Sequence, residues 1–180
     1  MVGVANGCAE FGPRALGNRS LLADPRGQNM QDQVNTVKQR QAFRPFAPVI
    51  KEECLHDYFD MPEGVNSSPF MQFVGKTKDP ESFPAITHVD YSARIQTVHK
   101  ETNPKYHALI SKFYELTNCP VIINTSFNIR GEPIVNSPKD AFRCFMGTEM
   151  DLLVIGNCVL RKEDQDSSLS QDYKNSFKLD

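Results

Sequence analysis

Between Asn103 and Ile155 the chain passes twice from helical to strand periodicity, which restricts its fold more than any other feature. Asn103 and Pro104 make a helix start, and Tyr106, Leu109, Ile110, Phe113 and Leu116 follow at helical spacing as the face to be buried. Pro120 to Asn124 is then a short apolar strand. Ser137-Pro-Lys-Asp140 reads as a capping box opening a second helix that buries Ala141, Phe142, Phe145 and Met146, and Leu152 to Ile155 is a further strand. Helix, strand, loop, helix, strand is the order of helices layered on a sheet.

Upstream, Met30, Val34 and Val37 form one apolar stripe, which predicts a helix over 28–41. Strands are expected at 46–50, 70–75, 85–89 and 94–98, and again at 159–161. Several of these follow one another with no helix between them. The fold class expected is therefore α/β in the α+β sense, a twisted mixed sheet packed with helices. At 180 residues one core is the expectation. From Glu163 the residues turn polar, which predicts a domain over 1–162 and a loosely ordered tail over 163–180.

Charge and composition exclude several classes. Twenty Lys plus Arg against 22 Asp plus Glu leave a net charge of -2, so the chain as a whole attracts neither nucleic acid nor an anionic membrane. Any anion site must be local. No apolar run approaches the ~20 residues a bilayer requires, and the first residues lack a secretory pattern. Five scattered cysteines without a CxxC pair argue against disulfides and zinc and for a cytoplasmic location. Cys119, Cys144 and Cys158 lie in apolar contexts and read as core. No HxxxH or HExxH occurs, so no metal site is expected within the chain.

Four segments concentrate polar chemistry. Glu10-Phe-Gly-Pro-Arg14-Ala-Leu-Gly-Asn-Arg19 sets two guanidinium forks among glycines that let a backbone approach a ligand; a glycine-rich turn with solvated arginines is the plainer alternative. Lys38-Gln-Arg40-Gln-Ala-Phe-Arg44 carries three cations out of a helix towards a strand, where α/β proteins often hold ligands, although a helix carboxyl end favours cations anyway. His88-Val-Asp90 with Arg94 could be a surface ion pair beside a structural histidine. Asn124-Thr125-Ser126-Phe-Asn128-Ile-Arg130-Gly131 follows an apolar strand with groups able to donate to phosphate oxygens, or able only to satisfy their own loop.

With Pro84-Ala-Ile-Thr-His-Val-Asp90 and Ala93-Arg-Ile-Gln-Thr-Val98, these segments resemble the carboxyl-terminal domain of the O-carbamoyltransferases of nodulation-factor and antibiotic biosynthesis. Glu10 to Arg26, Phe43 to Pro48, Asn124 to Asn128 and Arg130 to Ile134 carry the likeness, which spans residues 1 to about 162. The resemblance implies a YrdC-like fold. It also implies a partial reaction in which carbamoyl phosphate and ATP, accompanied by Mg²⁺, yield carbamoyl adenylate. A separate amino-terminal metal-binding domain would then pass the carbamoyl group to a hydroxyl. So little sequence precedes Glu10 that this domain is expected to lie outside the chain, which is then a fragment or a stand-alone form.

Under this resemblance Arg14, Lys38, Arg44 and Arg94 would clamp the two anions. Ser126, with Asn124 and Asn128, would orient phosphate or the carbamoyl amide, while Arg19, Thr125 and Arg130 would add phosphate contacts. Lys38, Arg44, Arg94 and Ser126 are the residues expected to act in catalysis, by charge stabilisation and placement and without an enzyme nucleophile. The competing classes are a nucleotide- or RNA-binding module without chemistry and an interaction domain.

Overall fold

In the computed structural model, which describes residues 1–170 together with Tyr173 and Phe177, the first elements are β1 (Val2–Ala5), β2 (Arg19–Ala23), α1 (Met30–Lys38), β3 (Ala47–Lys51), α2 (Leu55–Tyr58), β4 (Phe59–Asp60) and β5 (Val74–Thr77). Then come β6 (Ser92–Arg94), β7 (Gln96–Val98), α3 (Pro104–Thr117), β8 (Val121–Ser126), α4 (Pro138–Met146), β9 (Leu152–Ile155) and β10 (Cys158–Arg161). The mixed α+β class expected from the sequence is the one observed. Among the described residues, no helix is long and apolar enough to cross a membrane.

Length predicts one core, but the chain divides into two compact units. The first holds residues 1–23, 32–44 and 125–180, and the second holds residues 24–31 and 45–124.

In the first unit the strand order is β10-β9-β1-β2. β1 lies parallel to β9 and antiparallel to β2, while β10 returns antiparallel along β9. Its buried side chains include Val4, Leu21, Val34, Val37, Phe127, Ala141, Phe145 and Leu153. Ser137 opens α4 with the capping box that the sequence predicts: its hydroxyl accepts from Asp140 N, and the Asp140 carboxylate accepts from Ser137 N at 2.9 Å. Gly3 on β1 is glycine because Phe127 lies over it. A Cβ there would stand 2.7 Å from the Phe127 ring.

In the second unit β3 lies between antiparallel β8 and parallel β7, and β4-β5-β6 form a separate antiparallel sheet. The Asn103 side chain caps α3 by accepting from Tyr106 N, and Asn118 ends it in the left-handed conformation. Only Tyr106 and Ile110 of the predicted apolar face are buried; Leu109 and Leu116 are exposed. Those two leucines lie roughly 80° around the helix from the line through Tyr106, Ile110 and Phe113, beyond the stripe a helix can bury.

Other expectations are corrected by local backbone chemistry. The strand expected at 70–75 begins only at Val74, because Met71 takes a left-handed φ of 56°. Residues 85–89 are not a strand. Pro84–Ile86 form a single 3₁₀ turn, and His88 to Ser92 reverse the chain through Tyr91 at φ 64°, with Asp90 accepting from Ser92 N at 3.0 Å. Asp90 also pairs with Lys76 at 3.3 Å. Cys158, expected in the core, is exposed on β10, while Cys119 and Cys144 are buried as expected.

The tail is more structured than its composition suggests. It makes helical turns at Lys162–Asp164 and Ser167–Leu169, and Tyr173 is buried. The rest of the expected loose tail, residues 171–172, 174–176 and 178–180, lies outside the described residues.

Candidate functional site

The end of α1 and the turn after β8 meet in the first unit. α1 stops because Gln39 adopts a left-handed φ of 52°, two residues before the predicted end of the helix. Beyond β8 the chain is pinned by two buried apolar side chains, Phe127 and Ile129. Phe127 N donates to Arg19 O at 2.9 Å, and Val135 N donates back to Phe127 O at 3.0 Å. The chain then reverses over Ile129 to Glu132, with Glu132 N donating to Ile129 O at 3.2 Å. Gly131 occupies the turn position at φ 77°, where other residues are strained.

Lys38, the last residue of α1, points into this turn and is only 5 % exposed, so it is not a solvated helix terminus. Its Nζ donates to Ser126 O at 2.6 Å, Ser126 Oγ at 3.0 Å, Asn128 O at 2.7 Å and Asn128 Oδ1 at 2.5 Å. Ser126 Oγ in turn donates to Asn128 Oδ1 at 2.8 Å. Arg130 N, donating to Lys38 O at 3.1 Å, ties the turn to the helix end.

Burial disfavours the charged lysine, and nearby Arg40 adds repulsion; Cys144 and Glu132 oppose them more weakly. Together they bring the Lys38 pKa down from 10.5 to about 7. The group therefore changes charge close to neutral pH.

Around it opens a cleft of about 260 Å³ lined by Lys38, Arg40, Arg44, Ser126, Asn128 and Arg130, among others. Asn35, buried on α1, holds the loop that supplies two of these cations. Its Nδ2 donates to Ala42 O at 3.0 Å and Arg44 O at 2.9 Å, and its Oδ1 accepts from Arg40 Nε at 2.7 Å. Four cations converge here, and no carboxylate is among the side chains lining the cleft. The volume falls below the ~300–1,000 Å³ of sites for drug-sized ligands and suits a small anion.

Of the residues singled out from sequence, Lys38, Arg44, Ser126, Asn128 and Arg130 come together in this cleft. Arg14 stands exposed on its glycine-rich loop and does not line the cleft. Glu10 folds that loop by accepting from Leu16 N at 2.7 Å and Asn18 N at 2.6 Å. Thr125 is half-buried at the end of β8 and is not a lining residue. Asn124 belongs to the second unit, where its Nδ2 donates to Gln96 Oε1 at 2.5 Å. Arg94 also belongs to the second unit, on β6.

Arg19 has a role other than the anion contact expected of it. Its Nη1 donates to Asn6 O and Asn18 O, both at 2.9 Å, and its Nη2 to Gly7 O at 3.1 Å and Asn136 O at 3.0 Å. Nε reaches Asn136 O at 3.3 Å, so all of its N–H donors are engaged with backbone carbonyls.

The family model described as Carbamoyltransferase C-terminus matches residues 1–162. The chain belongs to that family. Nodulation protein NolO of Bradyrhizobium diazoefficiens is 47 % identical over 165 residues, which cover 90 % of this chain and 30 % of NolO. A 3'-hydroxymethylcephem-O-carbamoyltransferase of Amycolatopsis lactamdurans is 42 % identical over 135 residues, covering 73 % of this chain and 25 % of that enzyme. An uncharacterized protein of Synechocystis sp. is 47 % identical over 204 aligned positions, covering 100 % of this chain and 33 % of its own length. The chain thus spans a third or less of these relatives.

Within this carbamoyltransferase C-terminal domain, sequence reasoning passed over Asn35, Glu132 and Gln41, the last of which also lines the cleft. Asn35 lies in the polar middle of α1, where nothing local separates a buried amide from a solvated one. Among the described residues, no group of three or more His, Cys, Asp or Glu side chains could hold a metal ion.

Proposed function

We propose that this domain binds carbamoyl phosphate and ATP and makes carbamoyl adenylate, for transfer to a hydroxyl by a separate metal-binding domain. The observation that carries the reading is the buried Lys38 ammonium held against Ser126 and Asn128 in a small cleft with Arg40, Arg44 and Arg130. Water would cleave carbamoyl phosphate to inorganic phosphate and carbamate, and a carbamate oxygen would then attack the α-phosphorus of ATP as pyrophosphate leaves. The step needs placement and charge neutralisation rather than a protein nucleophile.

In this reading Arg40, Arg44 and Arg130 neutralise the incoming phosphate oxygens, and Lys38 supplies a charge that its surroundings only weakly retain. The Ser126 hydroxyl, now donating to Asn128, can exchange that bond for one to a phosphate oxygen. The volume suits carbamoyl phosphate alone, so the nucleotide would extend beyond the cleft. The lining side chains do not suit a Mg²⁺ ion, which prefers carboxylate oxygens. The ion would arrive on the triphosphate of ATP.

The test is to incubate the purified chain with ATP and carbamoyl phosphate and follow pyrophosphate and carbamoylated AMP by mass spectrometry. Both products, each requiring both substrates, are expected. Neither appearing would overturn the reading, and carbamoylation of an alcohol by this chain alone would overturn the division of labour.

A further inference from the structure

We propose that Tyr173, from the tail beyond the family-matched residues, is a positioning residue for the Lys38 cleft, seated by Gly147 and acting through Glu132. The argument lies wholly within the first unit. Tyr173 is 2 % exposed although its segment is polar, and its hydroxyl donates to Glu132 Oε1. The other carboxylate oxygen, Oε2, accepts from Ile129 N at 2.9 Å, and the Glu132 backbone oxygen accepts from Asn128 Nδ2 at 2.6 Å. Asn128 then receives Lys38 through both of its oxygens. One continuous set of hydrogen bonds therefore runs from the tail to the ammonium, through the turn that forms a wall of the cleft.

Gly147 provides the second observation. Its φ of -84° is open to any residue, so its own backbone does not require glycine. A Cβ there, however, would stand 2.2 Å from Tyr173 Cβ and 2.5 Å from its Cγ. The glycine is required by the docked tyrosine and by nothing in α4 itself.

Among the described residues, a small set of groups acts on this network. Arg40, Glu132 and Cys144 act on Lys38. Burial, reinforced by Glu132, pushes up the Cys144 thiol and keeps it neutral. Arg143 lies 6.0 Å from the centre of the Tyr173 ring, and Phe177 meets that ring edge-on at 5.3 Å. With the phenol in place, the Glu132 carboxylate is held by donors on both oxygens. Without it, the carboxylate keeps only the Ile129 amide and the Cys144 thiol as partners among the described residues, and the turn carrying Asn128 loosens.

The significance for catalysis rests on reading the cleft as an anion site, but the test does not. In the full chain labelled with ¹³C-lysine, the Lys38 Cε resonance, assigned with Lys38→Arg, is titrated in Tyr173→Phe and Gly147→Ala. Tyr173→Phe keeps the ring in its seat and removes only the hydroxyl, whereas Gly147→Ala expels the ring without touching the cleft. In both, the Lys38 midpoint is expected to move up from about 7 towards the ordinary lysine range as water reaches the Glu132 side. Measured at pH 6, where Lys38 is charged in parent and variants alike, affinity for inorganic phosphate is expected to fall about tenfold, the low end of what a hydrogen bond to a charged group is worth. An unchanged Lys38 midpoint in Tyr173→Phe overturns the proposal, whatever Gly147→Ala shows. Failure of phosphate to bind the unaltered chain would count against the anion site alone.

Discussion

Asn128 accepts Lys38 Nζ through its side-chain oxygen at 2.5 Å and its backbone oxygen at 2.7 Å, while its own amide donates to Glu132 O at 2.6 Å. One residue thus solvates a buried cation and fixes the turn that approaches it. A buried ammonium is tolerable only where such acceptors replace water.

Asn128→Ala should leave Lys38 short of an acceptor and Glu132 O short of a donor. A loss of about 1–3 kcal/mol in unfolding free energy is expected by urea denaturation. A change near zero would mean that the contact contributes little to holding the turn.

Lys38 should make stability rise with pH. Its folded pKa of about 7 lies below its unfolded value near 10.5, so between these the unfolded chain holds a proton that the folded chain has lost. The burial penalty is present in full below pH 7 and relieved above it, by up to about 1.4 kcal/mol per pH unit. Cys144 and Tyr173, both pushed upward mainly by burial, act in the opposite sense, but only above about pH 9. Denaturation at pH 7 and pH 9 should therefore show the rise in the unaltered chain, and Lys38→Met should remove most of it, the remainder coming from Lys162, which burial also lowers.

Arg19→Lys should destabilise the first unit by about 2–4 kcal/mol, because an ammonium cannot reach the carbonyls of Asn6, Gly7, Asn18 and Asn136 from one position. Thermal unfolding measures this. A variant as stable as the parent would return Arg19 to the list of ligand contacts.

Arg44→Ala should abolish carbamoyl-phosphate binding with the fold intact, since the residue is exposed on a loop held by backbone contacts to Asn35. Calorimetry showing unchanged affinity would remove Arg44 from the site. The same titration of Arg94→Ala decides whether Arg94 takes part at all.

The sequence exposed those parts of the molecule whose signal is local. Asn103-Pro104 and Ser137 to Asp140 announce α3 and α4 because caps and periodicity lie within one helical turn of each other. The cations of the cleft could be read because Lys38, Arg44 and Arg130 stand close to glycine, proline or chain reversals. β2 was hidden because Arg19 and Ser20 are buried there among glycines, and the strand expected at 85–89 fails because its apolar residues are interrupted by a turn. Asn35, Glu132 and Tyr173 gain their roles from partners distant in the chain. Nothing around Tyr173 signals burial, since its seat is supplied by Gly147 and its acceptor by Glu132.

The most direct measurement is calorimetric titration of the chain with carbamoyl phosphate at pH 6.5 and pH 8.5, in parallel with Lys38→Met. Because Lys38 gives up its proton near pH 7, affinity should fall about tenfold at the higher pH, and the variant should not bind at either. Equal affinity at the two pH values, or binding that survives Lys38→Met, would show that the Lys38 cleft is not where the substrate is held.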